Sequence, residues 1–222
     1  MRAAVPVRWQ APAPSAAGSI RVERVEGYGF AADQISSPAT VTDGRLVLSD
    51  VRYTHYGGRG VGTLEASTNA PLRFAAKMMG DGIDLAAFVR EAGVTIARAT
   101  GRVDYVMSIQ QTAAHGLFLA GRVDGEAGGG EIGIDAIERL LASSTTDVDG
   151  SGLLRRTLES LKIFRYDSLA ADVRLMGATG HVDVALKGRK RLGIFPGPVD
   201  AINLHHVPLD VLSRTFAKGW SP

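Results

Sequence analysis

The five histidines are the side chains best suited to metal binding or acid–base chemistry, and their positions predict neither. His205 and His206 are adjacent, and neighbouring side chains on a strand point to opposite faces. The pair therefore cannot bind one metal ion unless the strand is distorted. His55, His115 and His181 fall in or beside predicted turns and strands, with no acidic partner at metal-ligand spacing. We therefore expect solvated histidines at strand ends, with no metal and no cofactor.

Two short segments have the glycines or carboxylates of a ligand-binding loop but not its spacing. In Gly-Arg-Gly-Val-Gly (residues 58–62) the third glycine comes one residue early for a dinucleotide-binding loop, and a strand follows where a helix is required. Hairpin geometry is therefore the favoured interpretation. Segment 145–150 has the acidic residues of a calcium-loop fragment. A calcium loop that starts at Thr145 would have Arg156 at its last ligand position, where a bidentate Glu is needed, so calcium binding is not predicted.

No catalytic pattern emerges from the remaining polar residues. The carboxylate pairs Asp81/Asp84 and Asp147/Asp149 suit helix capping and loop solvation. The chain contains neither a Gly-x-Ser-x-Gly elbow nor a His-Glu-x-x-His helix. We therefore predict that the protein is not an enzyme.

Composition narrows the function classes further. The 25 Lys and Arg residues nearly balance the 23 Asp and Glu residues and are scattered, which is not the footprint of a nucleic-acid-binding protein. The absence of cysteine excludes disulfides and a cysteine nucleophile and leaves the redox compartment open. The N-terminus lacks the apolar core of a signal peptide, and no window approaches the ~18 apolar residues of a membrane-spanning helix.

Strand-like alternation dominates the chain from residue 19 onward. Segments 101–109, 116–123, 164–175 and 181–187 are examples, and segments 43–44 and 54–58 are turn signals. Segment 72–78 is a further strand, ended by the glycines of 80–82. Helix patterns cover 83–92, 135–142, 153–161 and 208–216, the first with Asp81 or Asp84 as its N-cap. The pattern predicts a mainly β fold with a few short helices over residues 19–222, preceded by a flexible Pro/Ala-rich segment, residues 1–18.

Ten apolar side chains are predicted to share one face of the sheet. They are Val103, Tyr105, Met107, Leu117, Leu119, Val173, Leu175, Val182, Val184 and Leu186. If helices 83–92 and 153–161 cover this face, it is an ordinary core. If the helices lie only at its ends, an open apolar groove remains. Periodicity favours the core, and both interpretations stay open.

A run of basic residues near the C-terminus is a second candidate surface. Lys187, Arg189, Lys190 and Arg191 are followed by Phe195, in a segment (188–198) expected to form a loop. Cations beside apolar and aromatic residues suit an anionic lipid surface, where each cation adds about 1 kcal/mol. A solvated hairpin tip is the alternative that the pattern favours.

The order of five segments resembles the C-terminal region of AsmA-like proteins. These segments are 43–51, the Tyr-Gly-Gly turn and strand of 56–63, 82–88, 99–103 and 123–135. Segments 157–169, 182–188 and 198–204 are similar to the closing strands of the related YdbH group. The resemblance covers about residues 39–216 and rests on the order of the motifs.

This resemblance implies an extended, twisted antiparallel sheet curled into a hydrophobic groove. It also implies a periplasmic location, as part of a protein anchored in the inner membrane whose anchor lies outside this chain. Members of the family are thought to carry phospholipid towards the outer membrane. The ten apolar residues would then contact acyl chains. The expected partners are phospholipid, inner- or outer-membrane proteins and the rest of a longer chain.

Two functions remain open from the sequence. The first is a non-enzymatic module that holds or conducts phospholipid acyl chains. The second is a structural or interaction domain of a large envelope protein, with no lipid ligand, whose sheet edge pairs with another segment.

Overall fold

A computed structural model gives the fold of residues 15–27, 30–67, 73–91, 97–112, 116–134, 164–177, 179–192 and 195–208. Strands account for 85% of the structure, and they form one large, open antiparallel sheet. The predicted fold class, a mainly β chain with an extended sheet curled into a groove, is confirmed. No helix in the described ranges is long and apolar enough to cross a membrane.

Twelve strands and one helix are described. The first strands are β1 (Ser15–Gly27), β2 (Phe30–Thr42), β3 (Arg45–His55), β4 (Gly58–Ser67) and β5 (Phe74–Asp84). Helix α1 (Leu85–Glu91) and the short strand β6 (Ala97–Ala99) follow. The remaining strands are β7 (Arg102–Thr112), β8 (Gly116–Gly125), β9 (Gly130–Ile134), β10 (Phe164–Met176), β11 (Thr179–Leu192) and β12 (Phe195–Pro208).

The sheet is a meander in which most strands pair with their neighbours in the chain. Its order is β1-β2-β3-β4-β5-β7-β8-β10-β11-β12, so β1 and β12 are the two edges. Strands β8 and β9 both pair with β10, β8 along residues 170–176 and β9 along residues 164–166. Strand β9 also pairs with β6. Short connections of this kind favour antiparallel pairing because no crossover helix is needed.

Tight turns join the strands at the predicted positions. Asp43 and Gly44 have φ angles of 50° and 73°, between β2 and β3. Tyr56 and Gly57 have φ angles of 46° and 75°, between β3 and β4. Two successive positive φ angles are the signature of the type I′ hairpin turn, whose twist matches that of the strands. The Asp43-Gly44 turn and the 54–58 hairpin are therefore confirmed.

Helix α1 begins two residues later than the pattern predicts, because Ile83 and Asp84 still pair with β7. The Asp84 Oδ1 atom accepts hydrogen bonds from the N–H groups of Ala86 (2.7 Å) and Ala87 (3.2 Å). Asp84, and not Asp81, is therefore the N-cap.

Three other predicted boundaries are wrong. Strand β1 starts at Ser15, not residue 19, because Ser15 to Gly18 pair with Thr42 to Ala39 of β2. Strand β5 continues through residues 80–82, since Gly80 pairs with both Gly60 and Tyr105. The expected loop 188–198 is largely a hairpin, in which Arg189 pairs with Val199 and Arg191 with Pro196. The helices predicted at 135–142, 153–161 and 208–216 lie outside the described residues, apart from Pro208 at the end of β12.

Candidate functional site: the apolar face of the sheet

The strand register collects the apolar side chains on one face of the sheet, here called the apolar face. The opposite face carries most of the charged side chains and is called the charged face. Met107 pairs with Gly121, and Val173 pairs with both Gly121 and Val182, so one row of residues runs across four strands. Because side chains alternate along a strand, residues two positions away continue the same face.

All ten residues that the sequence analysis assigned to one face lie on the apolar face. Val103, Val182 and Leu186 are buried, and the other seven are half-buried. Half-buried apolar side chains still present surface to a ligand. Contact of these residues with lipid remains a prediction.

One end of the strands, here called the packed end, is filled by the protein itself. Leu85 of α1 packs against two buried clusters. The first consists of Ala31, Tyr56, Ile83, Ala87 and Val103. The second consists of Phe164, Tyr166 and Leu186. Val103 and Leu186 are each only 4% exposed within these clusters, so both belong to the core of the packed end.

The opposite end of the strands, here called the open end, carries mainly half-buried apolar side chains, although Ala39 and Leu48 there are buried. The half-buried side chains include Leu46, Leu64, Ile109, Leu117, Leu119 and Leu175. The one helix in the described ranges lies at the packed end, against the buried clusters. The apolar face therefore changes from a core at one end to a partly accessible surface at the other.

A row of aromatic rings and glycines separates the two ends. Tyr53 pairs with Gly60, Gly60 with Gly80, and Gly80 with Tyr105. A Cβ atom on Gly60 would lie 2.2 Å from the Tyr53 ring, and one on Gly80 would lie 2.1 Å from the Tyr105 ring. Each ring therefore occupies the space that a Cβ atom on the glycine would need, so any larger residue would collide with it.

The two tyrosine hydroxyls meet above these glycines and continue to His55. The Oη atoms of Tyr53 and Tyr105 are 2.7 Å apart, and the Tyr105 Oη atom is 3.1 Å from His55 Nε2. The His55 ring also packs edge-on against both tyrosine rings, with centroid separations of 5.2 and 5.4 Å. The result is a polar chain of three side chains in an apolar setting, here called the Tyr-Tyr-His chain.

Burial controls the protonation of the Tyr-Tyr-His chain. His55 is 3% exposed, and desolvation lowers its pKa from 6.5 to about 4, so the ring is neutral at pH 7. Desolvation raises the pKa of Tyr105 far above its ordinary value, and the hydrogen bond to Tyr53 raises it further. All three groups are therefore uncharged, which suits them to an apolar site and not to proton transfer at neutral pH.

The charged face carries a cluster of three carboxylates. Asp81, Asp104 and Glu126 each offer an oxygen atom within 4.8 Å of the others, close enough to hold a cation. One of these carboxylates already accepts a hydrogen bond from the protein, because the Gly82 N–H donates to Asp104 Oδ1 at 3.0 Å. Exposed carboxylates of this kind are common on protein surfaces, and we assign no function to them.

The basic run lies on the β11–β12 hairpin and does not form one loop. Lys187 and Arg189 are exposed on the charged face, two residues apart on β11. The side chains of Lys190, Arg191 and Phe195 lie outside the described set. Their role at a membrane surface remains a prediction.

Tyr53, His55, Gly60 and Gly80 are parts of the site that the sequence pattern does not predict. A signal was present, because residues 58, 60 and 62 are glycines two positions apart and therefore share one face of a strand. In the sequence alone, this spacing predicts only hairpin geometry. Which aromatic residues cover the glycines depends on pairing between strands, and the chain order alone does not show it.

Comparisons with protein families, with curated proteins and with solved structures find no match to this chain.

Proposed function

We propose that this chain is a non-enzymatic module that holds phospholipid acyl chains along the apolar face of its sheet, in the manner of AsmA-like envelope proteins. The observation that carries the proposal is the half-buried state of the apolar side chains at the open end. The packing of α1 and the two buried clusters at the packed end leaves this surface partly accessible. An acyl chain needs apolar contact and no hydrogen bonds, and this surface offers such contact.

The size of the surface is appropriate for this ligand. From β3 to β11 the apolar face crosses six strand spacings, or about 29 Å at ~4.8 Å each. A bilayer has a hydrocarbon core of about 30 Å, so one acyl layer measures about 15 Å. The apolar face is therefore long enough for at least one acyl chain. The proposal places the module in the periplasm, within a longer protein anchored in the inner membrane.

The charged substitution Met107→Glu tests this proposal, with Val106→Glu as a matched control. Met107 is half-buried on the apolar face, whereas its neighbour Val106 is 59% exposed on the charged face. We expect native mass spectrometry to find phospholipid bound to the wild type and to Val106→Glu. Met107→Glu should lack lipid and remain folded, because a carboxylate opposes an acyl chain but can reach water at a half-buried site.

Two results would contradict the proposal. One is a wild-type protein that is free of lipid after mild extraction and takes up none from phospholipid vesicles. The other is unfolding of both Met107→Glu and the milder Met107→Gln, which would show that Met107 lies in a closed core.

The open edges of the sheet favour a structural role as the second candidate. Strand β1 (Ser15–Gly27) contains no proline, whereas Pro196, Pro198 and Pro208 interrupt the donors of β12. Strand β1 can therefore extend the sheet by pairing with another segment of a longer protein. Cooperative unfolding of a protein that binds no lipid would favour this alternative.

A further inference from the structure

A bulge in the edge strand β12 places both adjacent histidines beside one carboxylate. The register passes from Val182 opposite Val207 to Val184 opposite Leu204, so His205 and His206 together face Asp183. His206 has a φ angle of 54°, in the left-handed region. Such a bulge sets two residues against one and changes the side-chain alternation. The bulge is the strand distortion without which the sequence analysis excluded a shared ligand for these two histidines.

The two histidine rings converge on the same oxygen atom. The Nδ1 atoms of His205 and His206 lie 3.8 and 3.5 Å from Asp183 Oδ1. The His206 backbone N–H donates a hydrogen bond to this oxygen at 2.6 Å. This bond holds the carboxylate in place, and the carboxylate has further lone pairs for another ligand.

A third histidine holds one of these rings. His181 of β11 stacks on His206 with ring centroids 4.8 Å apart and 18° between the planes. Stacked rings do not direct their nitrogen lone pairs at a common point. His181 is therefore placed to orient His206 and not to share its ligand.

The neighbouring strand adds negative charge. Asp172 of β10 stands directly opposite Asp183, and like charges at opposed positions destabilise a sheet. The Arg122 guanidinium lies 4.0 Å from an Asp172 carboxylate oxygen. A cation on the β12 side of Asp183 would therefore relieve repulsion between the two carboxylates.

The geometry points to a divalent transition-metal site at the sheet edge, with Asp183, His205 and His206 as ligands and His181 as a positioning residue. Imidazole nitrogen and carboxylate oxygen together suit zinc and its neighbours. Metal–ligand bonds of about 2.1 Å separate tetrahedral ligands by roughly 3.4 Å, close to the two observed nitrogen–oxygen distances. The two histidine nitrogens lie more than 4.8 Å apart, so binding of an ion requires at least one ring to rotate. The His205 and His206 side chains are 75% and 76% exposed, so their rings can turn to bring both nitrogens to the ion.

Zinc titration of the full chain, with any histidine tag removed, tests this site by calorimetry. Visible absorption of bound Co²⁺ reports the coordination geometry. We expect saturable binding, and a higher melting temperature with zinc because the ion binds the folded state. His205→Gln and His206→Gln should weaken binding about tenfold or more, and neither exposed substitution disturbs the core. Asp50→Asn, which changes an exposed carboxylate on β3, is the matched control and should bind as the wild type does.

His181→Phe separates stacking from ligation, because phenylalanine keeps a ring but has no nitrogen. We expect this variant to retain zinc binding. Loss of binding in His181→Phe would overturn the role of His181. Equal binding by the wild type and the double variant His205→Gln/His206→Gln, or no saturable binding by the wild type, would overturn the site itself.

Discussion

The hydroxyl oxygens of Tyr53 and Tyr105 lie 2.7 Å apart, although β4 and β5 separate their strands. Three strand spacings amount to about 14 Å, so each side chain must extend across the face of the sheet to reach the other. Gly60 and Gly80 leave the room that this requires. Four residues from four strands thus form one unit, which marks where the packed end meets the rest of the apolar face.

Removal of the hydroxyls should show that Tyr105 is the centre of the Tyr-Tyr-His chain. Tyr105→Phe breaks two hydrogen bonds and should lower the free energy of unfolding by about 2 kcal/mol, whereas Tyr53→Phe breaks one and should cost about 1 kcal/mol. Urea unfolding measures both values. The double variant should be only slightly less stable than Tyr105→Phe, because Tyr105→Phe alone already removes the hydrogen bond between the two tyrosines. Fully additive effects would contradict this coupling.

A methyl group on Gly60 should collide with the Tyr53 ring. We expect Gly60→Ala to lower the free energy of unfolding by about 1–3 kcal/mol, the usual effect of overpacking. In a Tyr53→Ala background most of this cost should disappear. Gly62→Ala is the control, since its Cβ would lie 2.4 Å from the backbone oxygen of Lys77 and should be equally harmful in both backgrounds. If Gly60→Ala lowers the free energy of unfolding by the same amount in the Tyr53→Ala background, the Tyr53 ring is not the obstacle.

Stability should fall in mild acid because of His55. Its pKa in the folded protein, about 4, lies below the value of 6.5 for an exposed histidine, so the unfolded chain binds the proton more readily. The contribution of neutral His55 to the free energy of unfolding is therefore fully present above pH 6.5 and is lost as the pH falls from 6.5 towards 4. The free energy of unfolding at pH 5 should be about 2 kcal/mol below that at pH 8.

The variant His55→Gln provides the reference for this measurement. Glutamine can still bond to the Tyr105 hydroxyl but does not titrate. The wild type should lose more stability than the variant between pH 8 and pH 5, measured by chemical denaturation. Parallel pH profiles for the two proteins would mean that His55 is already accessible to protons in the folded state.

The cap of α1 should help to maintain the packed end. Asp84→Ala removes the acceptor for two N–H groups and should cost about 1 kcal/mol of stability. Asp81→Ala is the control and should have no effect or a stabilising one, because Asp81 lies within 4.8 Å of Asp104 and Glu126. Thermal unfolding distinguishes the two variants. Equal losses would mean that the cap makes no net contribution.

Local chemistry made several features predictable. Asp43-Gly44 can adopt positive φ angles that other residues avoid, so the turn follows from two residues alone. The alternation in β7, β8, β10 and β11 identified ten residues of one face, because the side-chain period of a strand is two. The boundaries were less predictable: residues 15–18 join β1 only because β2 offers them partners.

The sequence by itself determined that this chain is mainly β, where its hairpins turn and which strand residues share the apolar face. Only the tertiary structure decided that Tyr53, Gly60, Gly80 and Tyr105 form one row, that Val103 and Leu186 belong to the core, and that His205 and His206 meet at Asp183. The physical reason is the range of the interactions. Turns and alternation depend on neighbouring residues, whereas register and bulges depend on hydrogen bonds between segments that are distant in the chain.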